Sequence, residues 1–130
     1  MGQAGAGIRR RLALGTAVLT VAGLLAVAVP QEARAAASCP GRKVRTLQFA
    51  TGSVLVHKRG GYVCAVTVPR KPGTKRQMSV SAQARGGRPV VDAGRFAYRA
   101  GPVTVHAGTR CVRVKGTVSG RSAGSGWILC

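Results

Sequence analysis

The sequence predicts an all-β domain: a single small, disulfide-linked β-sandwich or barrel of about eight short antiparallel strands, placed after an N-terminal export signal. Three observations predict it. Past residue 35 no 3.6-residue apolar period appears. Short runs rich in Val and Thr are separated by Gly, Pro and charge clusters at roughly the 8–12-residue spacing of sandwiches and barrels. All four cysteines, Cys39, Cys64, Cys111 and Cys130, fall in this part, and an even count in a small exported chain reads as two disulfides.

The N-terminus has the three parts of a secretory signal. Arg9, Arg10 and Arg11 precede the uncharged apolar run 12–29, which Pro30 ends, and small residues follow. The spacing places cleavage after Ala35, with Ala37 as the second choice, so that 1–35 is the signal and 36–130 the mature domain. An uncleaved anchor is the competing reading, since 18 apolar residues can just span a bilayer. "AASC" at 36–39 faintly resembles a lipobox, but the apolar run ends well before Cys39. The arginine cluster leaves twin-arginine export open.

Within 36–130 the elements follow in order. Strands are predicted over 53–57 and 62–68, joined by a Lys58-Arg59-Gly60-Gly61 turn whose glycines accept positive φ. Two prolines, a glycine and four cations make 69–76 a solvated loop. In 77–85, Met78, Val80, Ala82 and Ala84 alternate with polar residues, the period of a strand with one buried face. A short strand follows, then a turn at Asp92-Ala93-Gly94, a strand through Phe96 and Tyr98, and a second turn at Ala100-Gly101-Pro102. Residues 103–118 read as a hairpin turning near 107–109. Residues 119–126 read as a flexible Gly/Ser-rich loop, and "GWILC" reads as the last strand.

Charge speaks to partners rather than to fold. The chain holds 21 Lys and Arg against two acids. Without Arg9, Arg10, Arg11, Arg34 and Glu32, residues 36–130 keep 17 cations and one carboxylate, Asp92, a formal charge of +16. With so few acids, almost none of the cations can pair internally, and the surface must carry a broad positive potential. Anionic wall polymers, phospholipid head groups, shed DNA or RNA and other polyanions are the partners this selects. The loop cations Arg70, Lys71, Lys75 and Arg76 are the candidate contacts. Such binding is non-specific, because phosphate-type contacts position without specifying sequence.

Specific chemistry has little to stand on. His57 and His106 are the two histidines, each flanked by valines in a predicted strand. With a basic surface they invite a small secreted ribonuclease or hydrolase reading; two strand histidines on a solvated face is the plainer account. Asp92 lies just ahead of Ala93 and Gly94, so a turn-forming role comes before a catalytic one. No G-x-S-x-G, P-loop or dinucleotide fingerprint occurs, and without a C-x-x-C there is no zinc pattern. No catalytic residue, metal site or cofactor is assigned. Phe49, Tyr62, Phe96, Tyr98 and Trp127 are expected mainly to fill the core, rather than to stack bases.

"YVCAVTV" at 62–68, "VVDAGRFAYRAGPV" at 90–103, "RCVRVKGTV" at 110–118, a Cys soon after the signal and a Cys at the C-terminus together resemble the spore-associated protein A family of filamentous actinobacteria. The most specific piece is carried by Asp92, Gly94, Phe96, Tyr98, Ala100, Gly101, Pro102 and Val103. The resemblance implies a small secreted β-domain found with spores or the cell envelope, and brings no known reaction. Its cysteine order supports sequential pairing, Cys39–Cys64 and Cys111–Cys130, which would also tie each end of the domain to a nearby strand. The expected function is non-enzymatic adhesion at the spore or envelope. A secreted protein-binding module, such as a protease inhibitor presenting the basic loop, is the alternative.

Overall fold

The computed structural model describes residues 39–130; the predicted signal 1–35 and its cleavage sites lie outside the described residues. Eight strands follow one another: β1 Arg42–Phe49, β2 Gly52–Arg59, β3 Tyr62–Pro69, β4 Arg76–Ala84, β5 Val90–Phe96, β6 Ala100–His106, β7 Val112–Val118 and β8 Arg121–Ile128. They form two antiparallel four-stranded sheets, ordered β1-β2-β3-β6 and β5-β4-β7-β8. The first lies over the second, with β6 above β4 and β5, β3 above β4 and β7, β2 above β7, and β1 above β8. The fold is therefore a β-sandwich, whose open edges are β1 and β6 in one sheet and β5 and β8 in the other.

Strict alternation builds the core. Val54 and Val56 of β2, Val63 and Ala65 of β3, Met78, Val80 and Ala82 of β4, and Val112, Val114 and Val118 of β7 all point between the sheets and are buried. The layer is made of small side chains, with Met78 the one long one among those fully buried. The sheets accordingly approach closely at Gly116. A methyl group added there would run into Thr67 Oγ1 and Val54 Cγ2. Thr67 points inward, and its buried hydroxyl finds no hydrogen-bond partner among the described residues.

Two disulfides secure the ends. Cys39–Cys64 joins the segment before β1 to central strand β3, and Cys111–Cys130 joins the start of β7 to the residues after β8. The first belongs to a small second apolar cluster of Cys39, Cys64, Val66 and Leu55 on the outer face of the β1-β2-β3-β6 sheet.

Several local expectations are corrected. Asp92-Ala93-Gly94 is no turn but the middle of β5, in register with Val80, Ser79 and Met78. Ladder pairing to β4 outweighs the local turn preference of Asp and Gly. Ala100-Gly101-Pro102 opens β6 instead of turning. Residues 103–118 do not form a hairpin, because β6 and β7 lie in different sheets and residues 107–111 cross between them. Most of the predicted Gly/Ser loop is β8, held by β7 along its length. No strand is predicted over 42–49, yet β1 is there, its three cations exposed and Val44, Leu47 and Phe49 packed on the core. The expected number of strands is thus right for partly wrong reasons: one predicted pair merges into β5, and β1 restores the total.

Candidate polyanion-binding surface

The carboxylate that the sequence singles out is structural. Asp92 sits opposite Val80, an inward position, and its Oδ2 accepts the Gly101 N–H at 2.7 Å. This ties edge strand β5 to edge strand β6 of the other sheet. The one acidic side chain of the described domain is thereby committed to a backbone amide, leaving the cations to other partners.

Three arginines turn instead to backbone carbonyls. Arg110 donates to Ala107 O at 3.1 Å, Arg85 O at 3.2 Å and His106 O at 2.8 Å, and so braces the crossing from β6 to β7. Arg76 donates to Thr74 O at 3.1 Å and Lys71 O at 2.7 Å, while Arg70 reaches Phe49 O at 3.3 Å. The four predicted loop contacts therefore split. Arg70 and Arg76 shape the loop and its approach, whereas Lys71 and Lys75 stand exposed at its tip.

A second group of cations lies on the outer face of the β5-β4-β7-β8 sheet, where no single sequence motif marks it. Strand register sets two rows of outward residues: Gln83, Arg113 and Trp127 across β4, β7 and β8, and Val91, Ser81, Lys115 and Gly124 across β5, β4, β7 and β8. A register shift between Arg113 and Lys115 brings Trp127 opposite Arg113, and Ser125 Oγ accepts the Val114 N–H at 2.9 Å where the ladder is interrupted. The Arg113 guanidinium lies 4.7 Å from the Trp127 ring centre and that of Arg85 lies 5.5 Å away, both within cation–π range. Arg113 also donates to Gln83 Oε1 at 2.9 Å, and Gln83 Nε2 donates to Gly87 O at 2.9 Å. Between the rows is a groove of about 460 Å³, lined among others by Ser81, Gln83, Arg113 and Lys115.

The histidines are not brought together. His57 and His106 share the outer face of the other sheet, but β3 separates their strands, and Asp92 points between the sheets. His106 is exposed and its ring lies 4.8 Å from that of Tyr62. Among the described residues no group of three His, Cys, Asp or Glu could hold a metal ion.

His57 is buried between Lys43 and Cys64, its cross-strand neighbours, and among the described residues its Nδ1 has no hydrogen-bond partner. Burial, and secondarily the nearby Lys43 ammonium, lower its pKa from the ordinary 6.5. The unfolded chain then binds this proton more readily than the folded one. The stabilisation is full above the ordinary value and is lost as pH falls through the lowered one. Stability is expected to drop as pH falls below about 6.5, and His57→Leu is expected to flatten that drop. Urea unfolding of both proteins across this range checks it; an unchanged slope in the variant would refute it.

No family model matches the chain, and no curated protein matches it. Among solved structures, the crystal structure of the Br derivative of BhCBM56 aligns with 65% of this chain and 96% of its own, at 12% identity and a TM-score of 0.43. At that score the likeness bears no weight for function.

Proposed function

We propose that this chain is a secreted, non-enzymatic protein of the spore or cell envelope that adheres through its basic surface to anionic polymers. The observation that carries this reading is the charge imbalance: 17 cations in residues 36–130 against one carboxylate, itself bound to the Gly101 amide. Arg70, Arg76 and Arg110 bond backbone carbonyls, which engages donors but leaves their charge uncancelled. Two disulfides suit an oxidising compartment outside the cytosol. Adhesion of this kind is multivalent, and counterion release makes it fall steeply with salt.

Retention on spores, purified wall and a heparin-like resin is expected to be strong at low salt and lost as salt rises. Lys71→Gln with Lys75→Gln is expected to elute earlier while melting at the wild-type temperature, since both side chains stand exposed at the loop tip. Salt-insensitive retention on one of the three materials would instead indicate a specific receptor, and the adhesion reading would fail.

A further inference from the structure

We infer that the groove on the outer face of the β5-β4-β7-β8 sheet is a binding site for an acidic polysaccharide, a sugar chain bearing carboxylate groups. The inference rests on the adhesion reading and gives it a specific site. The groove lies five to seven residues along β4 from Arg76, roughly 17–23 Å from the loop cations, so the two can be altered separately.

Three features of the groove point to this ligand. The first is a guanidinium held in place before any ligand arrives. Arg113 rests on the Trp127 ring and is hydrogen-bonded to Gln83, whose own amide is fixed on Gly87 O. A fork immobilised in this way loses little freedom on meeting a carboxylate. Lys115, two residues along the same strand and on the same face, supplies a second positive charge about 7 Å away.

The second is the polar lining. Ser81 and Gln83 place a hydroxyl and an amide beside the cations, donors and acceptors suited to sugar hydroxyls. A nucleic-acid strand would want an open aromatic platform for its bases. Trp127 is the one aromatic in these rows, and two guanidiniums already lie near its ring. The face thus offers charge and hydrogen bonds around a single exposed aromatic ring, rather than the row of rings on which successive bases would stack.

The third is Gly124. A Cβ there would meet Val114 O at 3.9 Å and Lys115 Cγ at 4.0 Å, both ordinary contacts. Neither packing nor a positive φ calls for glycine at this strand position. A side chain would, however, stand in the groove. The bare position keeps the trough open beside Lys115.

Trp127 is the sole tryptophan of the chain and lies against Arg113 of the groove, so its fluorescence reports on this face. The probe is a polygalacturonate oligomer titrated into the purified protein at fixed salt. It is expected to change Trp127 emission saturably, whereas a neutral galactan oligomer of equal length leaves it unchanged. Gly124→Val preserves every charge and suits a strand, and is expected to weaken the titration about tenfold while leaving retention on a polystyrene-sulfonate resin, which carries charge but no sugar, as in wild type. Arg113→Gln, which removes a charge-assisted hydrogen bond, is expected to weaken it by about tenfold or more. Lys71→Gln with Lys75→Gln, which removes two charges outside the groove, is expected to change it less than threefold. Resin retention without a Trp127 response, a Gly124→Val titration equal to wild type, or equal binding of a single-stranded oligonucleotide of matched charge would each overturn the site and leave general adhesion standing. Loss of resin retention in the wild type itself would overturn the adhesion reading.

Discussion

Reduction of both disulfides is expected to unfold the domain at room temperature. The cross-links enclose chain separations of 25 and 19 residues. At those lengths each contributes about 3 kcal/mol in the chain-entropy model. A domain of this size holds a total of about 5–14 kcal/mol, so losing both removes much of it. The core offers little reserve, being built mostly of Val and Ala. Removing one bridge by Cys111→Ala with Cys130→Ala is expected to lower the melting temperature by roughly 12–24 °C. Circular dichroism melts with and without a phosphine reductant test both statements. A fully reduced protein that still melts within a few degrees of the oxidised one would disprove them.

Gly116→Val is expected to be strongly destabilising. Even a Cβ at 116 collides with Thr67 Oγ1 and Val54 Cγ2 across the sandwich. The sheets must separate or the side chains must leave their rotamers, and overpacking of this kind costs about 1–3 kcal/mol or more. Gly116→Ala is expected to cost less, and Thr67→Ala in the same chain to recover part of it by removing one of the two obstacles. A double-mutant cycle in urea measures that coupling. Strict additivity of the two substitutions would mean that the close approach at Gly116 is not what selects glycine.

The sandwich was legible where periodicity was strong. Met78, Val80, Ala82 and Ala84 announce one buried face of β4, and the Gly60-Gly61 turn separates β2 from β3 as the local chemistry requires. Local signals misled where pairing decided the outcome. Asp92 and Gly94 prefer a turn in isolation, but β4 offers them a complete ladder, and the Asp92 carboxylate finds its donor nine residues later across the sandwich. The Gly- and Ser-rich stretch before Trp127 has weak strand propensity, yet β7 and the Ser125 hydroxyl hold it in place. β1 was hidden because its alternation is written largely in Arg and Lys. The loop cations could be picked out as a run. The groove could not, because Gln83, Arg113 and Trp127 come from three strands, and only the register of β4, β7 and β8 aligns them.

The open edges of the two sheets have a consequence for how copies of this chain behave when crowded. An unpaired edge is a template for another strand. Here Arg42, Lys43 and Arg45 lie along β1, Arg95 on β5 and Arg121 at the start of β8. Cations of this kind disfavour pairing between identical edges of β1, β5 and β8, whereas β6 carries none. An anionic polymer that neutralises them removes that obstacle. On the adhesion reading proposed above, the same charge would also set how densely the protein is laid down: sparse where the support is weakly charged, close-set where it is strongly charged.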